Sequence, residues 1–280
     1  MRHLIEIILI KASMKTKRIL IFAVRYAVSL LCSLYIHTIG VTFRHGRKKI
    51  RAINQVFGFT VFDRNEDPPN LLSEIPINDI CPTDLSIKCM VPEFESGGVF
   101  PFEMICMNLI FAHFKPETVF EFGTFNGKTA LNIAANTPPG TKIFTLDLPF
   151  ENKPVTTLRQ HPWDARFVET RGNGRHFHKS QYRDRIVQLN GDSATYDYMP
   201  YAGKIELVFV DASHSYEYVT SDSQKALTLL RGGKGIILWH DYGTKWHDVT
   251  RALNDLKTGN PAFNGMRHIR GSSLAFQRFQ

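Results

Sequence analysis

Short apolar runs from residue 118 onward each end on a polar residue: Glu121, Asp147, Asp192, Asp211 and the pair His240-Asp241. Acids brought together in this way repel a triphosphate unless several metal ions neutralise them. They suit a cationic ligand that also carries ribose hydroxyls. Asp147 follows Gly127 at the ~20-residue spacing at which an acid takes ribose hydroxyls in open α/β sheets. Glu121 stands just ahead of the stretch "GTFNGKT", residues 123–129. That stretch is one residue short of a phosphate loop and lacks the G-x-G-x-x-G of a dinucleotide site. A carboxylate at this position favours an ammonium over a phosphate. His214, shortly after Asp211, has the residue type and place for a general base, with backbone bonding at a helix entry as its structural alternative.

The elements that must position these residues follow from the pattern around them. The runs lie in "TVFEFG", "KIFTLDL", "RIVQLNGD", "ELVFVDAS" and "GIILWHD". Runs this short, rich in Val, Ile and Phe, predict strands buried on both faces of a parallel sheet. Helical stretches alternate with them. Tyr216, Val219, Ala226, Leu227 and Leu230 fall on one stripe, and Gly232 and Gly233 end that helix. "VFPFEMICMNLIFAHF" predicts a buried helix leading into the first strand, and "MRHIRGSSLAFQRFQ" a closing hairpin turning at Gly271. Ligands of open α/β sheets bind beyond the carboxyl ends of the strands, where the acids collect.

The ordered set "VFEFGTFNGKTALNIA", "IFTLDL", "LNGDSA" and "LVFVDASHSYEYV…LLRGGKGIILWHDYG" resembles a class I S-adenosylmethionine-dependent methyltransferase. More narrowly, it is similar to the group that includes the macrocin- and novobiocin-type O-methyltransferases and the cephalosporin-hydroxylase-like proteins. The resemblance covers about residues 95–280. It implies a doubly wound, mostly parallel seven-stranded sheet of Rossmann-like type with an N-terminal helical extension. It also implies that Glu121 lies near the methionyl ammonium, and that Gly123 and Gly127 let the backbone of the loop (Thr124, Phe125, Asn126) approach the cofactor. Asp147 would take both ribose hydroxyls, Asp192 and Ser193 the adenine edge, with Asp211 closing the cofactor site. In metal-using relatives, the positions of Asp211, His240 and Asp241 bind Mg²⁺. Hard Mg²⁺ prefers oxygen, so an imidazole from His240 opens the alternatives of Mn²⁺ or of His240 as a base without metal. The implied activity is methylation of an oxygen on a small molecule, sugar or lipid-linked glycan. The alternatives are another metal-dependent reaction such as hydroxylation, or a non-catalytic membrane-surface scaffold.

Three parts of the chain are expected: an apolar and basic segment over 1–51, a connection over 52–98 and the methyltransferase domain over 99–280. Residues 19–43 form an apolar run long enough for a bilayer, broken by Arg25 and His37. Arg44, Arg47, Lys48, Lys49 and Arg51 follow it. Residues 19–51 therefore predict attachment to a membrane surface, with a helix packed on the domain as the alternative. The cofactor places the domain in the cytoplasm, which free cysteines also suit. Net charge is +8, but no aromatic–basic RNA motif accompanies it, and nucleic acid is not an expected partner. Residues 150–184, rich in Arg and His, exceed a plain connection and predict a lid over the acceptor. The acceptor and the oligomeric state are not written in the sequence.

Overall fold

The structure is a computed structural model that describes residues 67–93, 97–148, 156–161, 164 and 174–280. It also describes a few positions between 26 and 38. Pro68–Gln280 form one compact unit and Met1–Asp67 another. In the N-terminal unit, Tyr26, Leu30, Leu31, Leu34 and Tyr35 are helical and exposed. Thr38 donates its hydroxyl to Leu34 O at 2.7 Å. Most of the 19–51 stretch lies outside the described residues. Among those described, no helix is long and apolar enough to cross a membrane.

The larger unit is built on one sheet. In chain order its elements are β1 (Glu74–Ile75), α1 (Pro101–Phe114), β2 (Thr118–Phe122), α2 (Lys128–Asn136), β3 (Lys142–Asp147), α3 (Arg175–His178) and β4 (Ile186–Asn190). There follow β5 (Leu207–Val210), α4 (Tyr216–Leu229), β6 (Gly235–Trp239), α5 (His247–Gly259), β7 (Arg267–Ile269) and β8 (Ala275–Phe279). The strand order is β1-β7-β8-β6-β5-β2-β3-β4. All pairings are parallel except those of β8 with β6 and β7. The sheet thus has the expected doubly wound form, with eight strands where seven were expected. The extra strand is the two-residue β1 at the edge. Periodicity could not reveal it, because so short a strand shows no alternation.

Alternation along the strands fills two cores. Val119, Leu207, Phe209, Ile236 and Leu238 face α1 and α2. Phe120, Phe122, Val208, Val210, Ile237 and Trp239 face α4 and α5. Both faces are covered by helices, so both must be apolar, and period two disappears from the sequence. α1 starts at Pro101, whose missing N–H costs nothing there. Glu103 accepts from Phe100 N at 3.0 Å and caps the same end. Ser215 caps α4, accepting from Tyr218 N at 3.3 Å.

Residues 88–90 are tied to helix α2 by side-chain mimicry of a strand ladder. Asn132 and Asn136, one turn apart on α2, pair with the backbone of Met90 and Lys88 in both directions at 2.7–2.9 Å. Leu72 N donates to Tyr242 Oη at 2.9 Å. Cys81, Cys89 and Cys106 are free thiols.

The chain winds one way from β2 through β3 to β4, and the other way from β5 to β6. The switch falls between β2 and β5, and a crevice opens at their carboxyl ends.

Candidate active site

Gly123 follows β2 at φ +95°, and a Cβ there would sit inside the carbonyl oxygen of Asp211. The two strand ends at the switch therefore touch through backbone, and only glycine permits it. The cavity beside them is lined by Gly123 to Asn126, Asp147, Asp192, Ser193, Asp211 and His214, among others. Phe125 holds φ +45°, unusual for a bulky residue. Asp147 fixes it: Oδ2 accepts from Phe125 N and Oδ1 from Leu148 N, both at 2.9 Å.

Asp192 is held in the same manner. Its Oδ2 accepts from Thr157 N at 2.8 Å, and Oδ1 from Ala194 N at 2.9 Å and Tyr218 Oη at 2.8 Å. Burial pushes this carboxyl up, but the hydrogen bonds outweigh burial and leave it below its ordinary value.

Two residues at the ends of the loop, both expected at the cofactor, make close contacts within the chain. Gly127 does not line the cavity. It holds φ +80°, and a Cβ there would meet the Phe177 ring at 2.5 Å, so it is a glycine for packing against the 174–177 turn. Glu121 lies on the strand face of Val119, fully buried and off the lining. Its Oε2 accepts from Thr145 Oγ1 at 2.5 Å, and Thr145 meets Thr124 Oγ1 at 2.7 Å. Its Oε1 is buried without a hydrogen-bond partner. Burial, with the charges of Asp211 and Asp147, pushes its carboxyl well above the ordinary value, although Thr145 opposes the shift. Glu121 thus underpins the loop through two threonines.

At the β5–β6 side, ligand atoms of Asp211, His214 and Asp241 all lie within 4.8 Å of one another. Two carboxylates and an imidazole at this spacing are a donor set that fits Mn²⁺ or another borderline divalent ion, and Mg²⁺ through the oxygens. His240, expected in this set from its place in the sequence, meets both of its carboxylates and a third acid besides. Its Nδ1 lies 3.2 Å from Asp211 Oδ1 and 3.3 Å from Asp241 Oδ2, and its Nε2 lies 3.1 Å from Glu103 Oε2. The reason is strand alternation: His240 follows Trp239 and so turns to the opposite face, toward α1, where Glu103 stands. Burial opposes charge on this ring, but Asp211 and Asp241 prevail and raise its pKa well above the ordinary value.

His214 is clamped as well. Nδ1 lies 2.6 Å from Asp164 Oδ1 and Nε2 3.0 Å from Asp241 Oδ2. Its ring stacks on Trp246, with centroids 3.9 Å apart at 18°. Burial lowers the pKa of the ring, yet the two carboxylates raise it to about 10. Asp241 itself sits at φ +65°. Burial would raise its carboxyl, and the charges of His240 and His214 override this and hold it well below the usual range.

Asp164, Trp246, Glu103 and Lys128 are site residues that sequence reasoning missed. Glu103 left a signal, being a lone acid inside an apolar helix. Asp164 left none, since it falls in a basic stretch with no periodicity. It accepts from Ser213 Oγ at 2.8 Å and His214 N at 3.1 Å. Burial would raise its carboxyl, and the contacts with His214 and Ser213 lower it instead.

Residues 120–242 match the family described as "Methyltransferase domain". No curated protein matches the chain significantly. Among solved structures, the chain is similar to the Podospora anserina methyltransferase PaMTH1 bound to SAH: 18% identity, 66% of this chain and 80% of that one, TM-score 0.49. It is also similar to TomG of Streptomyces achromogenes, an O-methyltransferase involved in tomaymycin synthesis, in complex with SAM: 13% identity, 68% and 92%, TM-score 0.43. A third is the O-methyltransferase from Bacillus cereus in complex with SAH: 13% identity, 65% and 81%, TM-score 0.42.

Proposed function

We propose that this chain, whose residues 120–242 match a methyltransferase domain, is a class I S-adenosylmethionine-dependent methyltransferase that acts on a hydroxyl oxygen of a small molecule, sugar or lipid-linked glycan. The observation that carries the oxygen acceptor is the convergence of Asp211, His214 and Asp241 beside the cavity. Bound there, the cofactor supplies an electrophilic methyl group. The chain must then hold the acceptor in line with it, exclude water and take the acceptor's proton.

Each residue has a part in this reading. Asp147 and Asp192 bind the nucleoside end. Asp211 and Asp241 would hold a divalent cation, whose chemistry there is to lower the acceptor hydroxyl's pKa. Asp164 and Trp246 fix the orientation and plane of the His214 ring. Both ring nitrogens of His214 face carboxylates, so the ring rests as an imidazolium. It becomes a base once the cluster releases that proton. His240 is a positioning group that keeps Asp211 and Asp241 apart from Glu103.

The test is methyl transfer from labelled S-adenosylmethionine to extracts of the host, with and without chelator. Expected is a labelled product whose mass is greater by one methyl group. Its formation should cease in chelator and return with Mg²⁺ or Mn²⁺. Full transfer in excess chelator would move the role to the Asp164–His214–Asp241 group alone. A product gaining oxygen would point to hydroxylation.

The same reading places the domain at a membrane surface through residues 19–51, whose basic cluster attracts anionic lipid. The support is the apolar run and the charges after it. Full-length chain in the membrane fraction, with a form starting near residue 52 in the supernatant, is the expected result. Supernatant recovery of both at low salt would remove this part.

A further inference from the structure

Residues 156–161 belong to no helix or strand, so contacts with distant parts of the chain set their place. One end is held on the β4 side. Thr157 N donates to Asp192 Oδ2 at 2.8 Å, and Tyr218 Oη donates to Oδ1 of the same carboxylate at 2.8 Å. Leu158 N and the Thr156 side chain face that Tyr218 hydroxyl. The other end is held on the β5 side. Asp164 N returns to His161 O at 2.9 Å, and the Asp164 carboxylate meets Ser213 Oγ, His214 N and His214 Nδ1. Between the two ends, the His161 ring stands edge-on to Trp246 with centroids 5.0 Å apart. Gln160, beside it, lines the cavity.

In the sheet, β3 and β2 stand between β4 and β5. Crossing them takes about 14 Å at the usual strand spacing, and the chain from Thr157 to Asp164 reaches roughly 25 Å at most. These residues therefore form a strap over the carboxyl ends of β2 and β3, where Asp147 and the loop 123–126 make the cradle. Holding a strap without secondary structure costs backbone entropy, and fixing one end lowers the cost of fixing the other. A nucleoside in the cradle meets the strap from beneath and steadies the end on Asp192.

Resting on the cofactor reading above, we propose that this strap makes the placement of His214 answer to the cofactor. A nucleoside bound between Asp147 and Asp192 closes residues 156–161 over itself, and Asp164 at the far end then sets the His214 ring. The cofactor binds first, and the group that takes the acceptor's proton is positioned only afterwards. The coupling is reciprocal: loosening the His214 end weakens hold on the nucleoside.

The experiment is hydrogen exchange of the full chain, resolved to single amides, with and without saturating S-adenosylhomocysteine. The amide of Leu158 reports the near end and that of His214, bonded to Asp164 Oδ2, the far end. In the wild type the ligand should slow both by roughly 10-fold. Thr157→Pro removes the donor to Asp192; with ligand at saturation, the slowing at His214 should vanish. Tyr218→Phe loosens the same end and serves if the Pro variant does not fold. Asp164→Asn should lose the slowing at Leu158, whereas Asp241→Asn, which strips His214 of a carboxylate outside the strap, should keep it. Slowing at His214 that survives Thr157→Pro overturns the proposal, and so does a saturated wild type without slowing at either amide. Calorimetry alongside separates the two readings: a wild type that binds no S-adenosylhomocysteine brings down the cofactor reading, and this inference with it.

Discussion

The two halves of the carboxyl edge hold their acids by different means. On the β3–β4 side, the Asp147 and Asp192 carboxylates accept from backbone N–H groups of their own or nearby loops. On the β5–β6 side, Asp211 and Asp241 face imidazoles, and those imidazoles are held by Asp164 and Glu103 from far along the chain. Backbone donors cannot leave, so the first half is a fixed cradle for a ligand that must fit. Imidazoles can gain or lose a proton, so the second half can change charge during a reaction. In the function proposed above, the first is the binding half and the second the chemical half.

The sharpest way to test that division is to remove an acid from the chemical half. Asp241→Asn should lower methyl transfer by a factor on the order of 10³, measured with labelled S-adenosylmethionine, and leave S-adenosylhomocysteine binding intact. Equal loss of binding and turnover would erase the division. Asp164→Asn should act in the same direction but less, about 100-fold in turnover, because it frees the plane of His214 without removing a reacting group. An unchanged rate would reduce Asp164 to a structural contact.

The acids of the β3–β4 side and their surroundings were legible in the sequence, and those of the β5–β6 side only in part. Asp147 and Asp192 announce themselves at the ends of apolar runs, and their partners lie mostly close in sequence. Asp211 and the His240-Asp241 pair announce themselves in the same way. What sequence cannot show is which face each side chain takes after the strand ends. His240 was expected beside Asp211 and Asp241, and its ring meets both and Glu103 on the α1 side. His214 also converges on the two acids, where Asp164 and Trp246 hold the ring. Neither contact has a local pattern. Gly127 read as a cofactor glycine because φ > 0 and close approach look alike from sequence, whether the neighbour is a ligand or the Phe177 ring.

Asp222 on α4 bears on stability and its pH dependence rather than on turnover. It is 1% exposed, and both oxygens are buried without a hydrogen-bond partner. Burial raises its carboxyl from 3.8 to about 7, with Ser193 and Lys225 opposing and Asp192 adding to the rise. A carboxyl raised on folding contributes its full stability below the unfolded value and loses it as pH rises through the folded one. Between pH 4 and pH 7 the loss is at most roughly 1.4 kcal/mol per pH unit. Asp222→Asn should therefore flatten the fall of Tm across that window relative to wild type. Parallel curves would show that Asp222 keeps its charge in the fold.

The central claim is that the cradle binds S-adenosylmethionine through Asp147. Calorimetric titration of the full chain with S-adenosylhomocysteine tests it most directly, with Asp147→Ala beside the wild type. The account predicts saturable binding to the wild type, a raised Tm with ligand, and affinity weakened by roughly 100-fold in the variant, which loses the ribose contacts and the anchor of Phe125. A wild type that gives neither heat nor a shift in Tm at millimolar ligand would contradict it.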